Sequence, residues 1–135
     1  MSAPQPPHPT PLTVLIDDAR AFKDRRPALV ARSSQEALTL LDQLGDTRID
    51  DLWLDHDLVD TDTIRPVVEW MVQRARAGSP LKVGQIHIHS ANVGGGHWIR
   101  LELQAAGYPV TRSFSLGMWT RQSPPSRAGL DGAHR

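Results

Sequence analysis

Short, largely apolar runs recur along the chain at Leu12 to Ile16, Ala28 to Arg32, Leu52 to Leu58, Gln85 to His89 and Pro109 to Ser113. Runs of this length, bounded by turn residues, fit strands buried on both faces of a sheet. Between the later ones the apolar period changes to that of a helix. Ser33 with Glu36 three residues on forms a capping box, followed by Ala37, Leu38, Leu41 and Leu44 and a stop at Gly45. Ile64, Val67, Val68 and Met71 share one face of a second helix that tolerates Pro66 in its first turn and stops near Gly78. Trp98, Leu101 and Ala105 mark a third, ending by Gly107. Ala19 to Pro27 is charged, lacks periodicity and closes on a proline, so it reads as a loop.

The order β-loop-β-α-β-α-β-α-β predicts an α/β fold with a parallel five-stranded sheet. Right-handed crossovers favour the strand order 2-1-3-4-5, which puts all three helices on one face. The opposite, helix-free face then needs cover, expected from Phe22, Phe114, Met118 and Trp119, from a second subunit in a homodimer, or from both. Trp53, Trp70, Trp98 and Trp119 read as core and sheet-covering residues.

Composition narrows the setting. The 135 residues make one domain, expected over residues 12–121, between a disordered proline-rich arm at 1–11 and a flexible tail at 122–135. Fifteen basic and fifteen acidic residues cancel, so no overall field draws the chain to nucleic acid or membrane, and an anion must find a local pocket. With no cysteine, thiol catalysis and thiolate zinc sites are excluded. No apolar run reaches the roughly 20 residues of a membrane span, and the start lacks the order of a signal peptide, so a cytoplasmic protein is expected.

The candidate chemistry lies at the strand ends, where open parallel sheets bind ligands. The tips of the first, third and fourth strands carry Asp17 and Asp18; Asp55, His56 and Asp57; and His89, Ser90 and Asn92. Oxygen-rich clusters suit magnesium or manganese, here on Asp17, Asp18, Asp55 and Asp57, while two histidines with carboxylates would also suit zinc or iron. His56 and His89 are candidate proton carriers beside Asp55, and His87, deeper on the strand, is a structural residue. Asn92 to Gly96 is a glycine-rich turn opening a helix, where the free N–H groups of Gly94 and Gly95 favour phosphate, with Ser90 and Asn92 as further donors. Arg20, Lys23, Arg25 and Arg26 cluster in the first loop and offer a polyanion site or a solvated surface.

These residues resemble a known family. An acid pair after strand one, Asp55 after strand three and Ser90-Ala91 after strand four look like the receiver (flavodoxin-like) domains of two-component signalling. There the acids hold magnesium and the strand-three acid accepts a phosphoryl group. Two features depart from that pattern: Val110 to Ser113 offers no lysine, and no helix follows strands one and five. The fuller resemblance is to the divergent cyclic-phosphate processing receiver domains. It is carried by Asp17-Asp18-Ala19-Arg20, Leu54-Asp55-His56-Asp57-Leu58 and His89-Ser90-Ala91-Asn92-Val93-Gly94, and it covers roughly Leu12 to Ala106. Val93 stands where that family often has proline.

The resemblance implies action on cyclic phosphates such as RNA 2′,3′-cyclic ends or cyclic nucleotides. The expectation is a metal-dependent phosphoesterase, with Asp55, His56 and His89 catalytic and Ser90, Asn92, Gly94, Gly95 and Arg20 on the phosphate. The alternative is a non-catalytic receiver-like signalling or phosphate-sensing module using the same pocket.

Overall fold

A computed structural model of the chain describes residues 11–114 and 117–122. The expected arm at 1–11 and tail at 122–135 therefore fall almost wholly outside the described residues. Within them the order is β1 (Thr13–Ile16), β2 (Arg20–Phe22), β3 (Leu29–Ala31), α1 (Ser34–Leu44), β4 (Ile49–Leu54), α2 (Arg65–Arg76), β5 (Val83–Ile88), α3 (Val93–Ala105), β6 (Val110–Arg112) and β7 (Trp119–Arg121). No helix among these is long and apolar enough to cross a membrane.

Five strands form one parallel sheet in the order β3-β1-β4-β5-β6. Once the two short extra strands are numbered, this is the expected 2-1-3-4-5. Side-chain alternation divides β1 and β4 between two cores. Val14, Ile16, Leu52, Leu54, Ile86 and Ile88 face all three helices, where they meet Leu41, Met71, Ile99 and Leu103, every one fully buried. The capping box opens α1 as read: the Ser33 hydroxyl accepts from the Glu36 amide at 3.1 Å. Asp62, in the loop before α2, accepts from the Ser34 amide and hydroxyl at 2.6 Å, while Ile64 at the start of α2 makes no side-chain cap.

Leu52 to Leu58 needs correcting as a strand. β4 begins earlier, because Ile49 and Asp51 pair with Val83 and Gln85, and it ends at Leu54. Asp55 to Leu58 is loop, held by an Asp57–Thr63 bridge, so the ligand-type residues lie on a turn beyond the strand.

The helix-free face carries the second core. Leu15 and Trp53 project there and are covered by Phe22, Met118 and Trp119. The cover is a two-stranded antiparallel ribbon of β2 and β7, pairing Arg20 with Arg121 and Phe22 with Trp119. The rings of Phe22 and Trp119 lie 5.4 Å from that of Trp53, both edge to face. Phe114 does not belong to this cover: it is 76% exposed, because the chain leaves the sheet at edge strand β6 and the ring lands over Arg112. His87 has the structural place expected of it, stacked 4.0 Å from Trp53 with Nε2 2.8 Å from an Asp51 carboxylate oxygen.

Candidate active site

β1, β4 and β5 end side by side, and their following turns converge on a cleft of about 190 Å³ lined by Asp17, Asp18, Arg20, Asp55, Asp57, Ala91, Asn92 and Arg121, with Ala19 at its wall. Carboxylate oxygens of Asp17, Asp18 and Asp55 all lie within 4.8 Å of one another. Asp17 and Asp55 are buried; Asp18 is half-buried.

Local structure decides how each acid behaves. The β1 end turns sharply, so one Asp17 oxygen accepts from the amides of Ala19 (2.8 Å) and Arg20 (2.7 Å), and the other from His89 Nε2 (2.8 Å). Burial alone would raise its pKa; the hydrogen bonds from His89 and the two amides outweigh burial and hold it below the ordinary carboxylate value. Burial and the neighbouring Asp17 charge push Asp18 up. Asp55 is pushed up to about 7 by burial and then by the Asp17 charge, against the pull of Arg20 and a hydrogen bond with Ser90. Three crowded carboxylates, one of which cannot ionise freely at neutral pH beside the others, form a donor set that a divalent cation would satisfy: all-oxygen, acidic and partly open to water. The site therefore fits a hard divalent metal.

The two histidines sit behind the cleft wall. His89 is 4% exposed; its Nε2–H donates to Asp17 and its Nδ1, also buried, has no partner among the described residues. Burial lowers its pKa, so it is a neutral donor to an ionised acid, and Trp119 stacks on it at 4.6 Å. His56 is 5% exposed, with Nδ1 2.7 Å from Asp57 Oδ1 and Nε2 accepting from Arg65 Nε at 3.1 Å. Those two bonds fix its proton on Nδ1. The His56 hydrogen bond, with help from Asn92, holds the exposed Asp57 carboxyl below its ordinary value. Asp57 lines the cleft but stands outside the three-acid cluster.

The expected phosphate donors are largely engaged. Asn92 caps α3, its Oδ1 accepting from the Gly95 amide at 2.8 Å while its Nδ2 donates to Asp57. Ser90 Oγ accepts from the Asn92 amide at 3.1 Å. Gly95 is a packing residue: a Cβ there would lie 2.4 Å from the His56 ring. A Cβ at Gly94 would meet only Asn92 Oδ1, at 3.8 Å. Arg20 lines the cleft and donates through Nη1 to the His89 carbonyl at 2.7 Å. Lys23, Arg25 and Arg26 line a separate depression of about 440 Å³ together with Leu15, Val30 and Thr120.

Two participants escaped sequence reasoning. Arg121 enters the cleft because β7 pairs with β2, an association of segments about a hundred residues apart that no local pattern announces. Arg65 lies on the solvent side of α2 and is identified only by its reach to His56, with its guanidinium 4.5 Å over Trp98.

No curated protein and no solved structure matches the chain. The family model for the cyclic-phosphate processing receiver domain matches residues 12–105, from β1 to the last turn of α3, a span that holds all three acids of the cluster. The chain is a member of the cyclic-phosphate processing receiver domain family.

Proposed function

We propose that this protein is a metal-dependent phosphoesterase that opens cyclic phosphates, either RNA 2′,3′-cyclic ends or cyclic nucleotides. The carrying observation is the convergence of the Asp17, Asp18 and Asp55 carboxylates within 4.8 Å in a family associated with cyclic-phosphate processing. Asp17, Asp18 and Asp55 hold the ion, magnesium or manganese by the hardness of the donors. When bound, such an ion withdraws charge from a phosphoryl oxygen and lowers the pKa of water.

The reaction needs water oxygen to bond to phosphorus, one ring P–O ester bond to break, and the leaving oxygen to take a proton. The protein's residues prepare that event. Arg121 and Arg20 line the cleft and offset the negative charge of the phosphate. Asp57, kept ionised by His56 and fixed by Asn92, orients the attacking water from the cleft mouth. His89 and His56 are positioning residues in this reading: each holds a carboxylate rather than meeting the substrate.

Incubation with manganese or magnesium and a panel of 2′,3′-cyclic nucleotides and cyclic-ended oligoribonucleotides tests the proposal. Ring opening to a phosphomonoester is expected, with a loss of about a hundredfold or more in Asp55→Ala. Absence of turnover with every metal would sink it. Tight binding without turnover, or acetyl-phosphate labelling of Asp55, would establish the non-catalytic receiver-like module instead.

A further inference from the structure

Among the described residues the two most exposed large apolar side chains are Phe114 (76%) and Val93 (74%). Neither takes part in either hydrophobic core. Both are tied to one residue, Arg112, at the end of β6. Its Nη1 donates to the Val93 carbonyl at 3.4 Å, and its guanidinium carbon lies 5.2 Å from the Phe114 ring centroid. The guanidinium is fixed from the other side as well. It lies against the first turn of α3 so closely that a Cβ on Gly96 would stand 2.4 Å from Nη1, and its Nε is buried without a partner among the described residues. Gly96 thus admits a cation that backs one face of an exposed phenyl ring.

The position of this platform relative to the cleft follows from the sheet. Phe114 leaves the C-terminal end of β6, which neighbours β5, which neighbours β4 with Asp55 at its tip. Two strand spacings come to about 10 Å. With side-chain reach on both sides, that is comparable with the span from phosphate to base in one nucleotide. Val93 directly follows Asn92 of the cleft wall, and its carbonyl accepts from Arg112 beneath the ring, so it connects the two. Aromatic rings open on one face stack nucleobases with little regard to sequence, and a cation behind the ring strengthens the contact.

We propose that Phe114, backed by Arg112 and flanked by Val93, is the stacking platform for the nucleobase attached to the cyclic phosphate. The protein then discriminates nucleoside cyclic phosphates from cyclic phosphate esters without a base. This rests on the cyclic-phosphate reading of the acid cleft, and the experiment separates the two.

Binding in manganese is measured by rapid mixing, before ring opening consumes the ligand, for adenosine 2′,3′-cyclic phosphate and for glycerol 1,2-cyclic phosphate, which has no base. The wild type is expected to favour the nucleotide by on the order of tenfold. The ratio should fall toward one in Phe114→Ala and be kept in Phe114→Trp. A wild-type ratio near one, or a ratio that survives Phe114→Ala, overturns the platform while leaving the cleft reading intact. Failure of both ligands to bind overturns the cleft reading and the platform with it. If Phe114→Ala alters self-association by sedimentation and leaves the ratio unchanged, the ring is a contact between copies of the chain and the platform is overturned.

Discussion

Asp55 shows how one side chain can couple the site to the stability of the chain. Its carboxyl titrates near 7 in the folded state against an ordinary value of 3.8, so the folded chain binds the proton more tightly than the unfolded chain. Stability from this group is therefore full below pH 4 and is lost as pH rises toward and through 7. His89, lowered by burial, acts in the opposite sense, but only below the ordinary histidine value of 6.5, which leaves the interval from pH 6.5 to 8 to the acids. In metal-free protein, urea midpoints should fall across that interval, with a slope of at most about 1.4 kcal/mol per pH unit from this group. Asp55→Asn should flatten the slope and be the more stable protein at pH 8; an unchanged slope would show that Asp55 ionises normally. At this scale the sequence was readable in part. Asp17, Asp18 and Asp55 could be named because strand ends converge wherever such a sheet forms. The turning of His56 and His89 away from the cleft could not, since the direction of a side chain beyond a strand tip depends on partners such as Arg65 and Trp119.

Between elements, the contact that matters most is α3 against the loop after β4. Three glycines follow Val93 in the first turn of the helix, and their neighbours differ. A methyl at position 95 would enter the buried His56 ring, which Asp57 and Arg65 pin from both ends. Gly95→Ala should therefore destabilise by about 1 to 3 kcal/mol despite its better helix propensity. Gly94→Ala meets nothing closer than Asn92 Oδ1 at 3.8 Å and should be neutral or stabilising by up to about 1 kcal/mol. Denaturant titration of the pair checks this, and equal effects would remove His56 as the cause. The five-stranded order and the three helices were legible because period and capping are local signals. The β2–β7 ribbon was not: each strand has three residues, too few to show a period, and each finds its partner only in the folded chain.

Across the whole molecule, the sheet is complete at β6, whereas the cleft and the helix-free core are complete only when β7 is in place. A chain ending at Ser113 should keep near-native far-ultraviolet circular dichroism. It should also bind an environment-sensitive apolar dye over the bared Trp53 and lose most of the thermal shift produced by manganese; a full shift would show that Arg121 and Trp119 are dispensable. The ribbon also sets an order of events during synthesis. Arg20 leaves the ribosome about a hundred residues before Arg121, so the sheet can form around a cleft that is completed only once translation has passed β7.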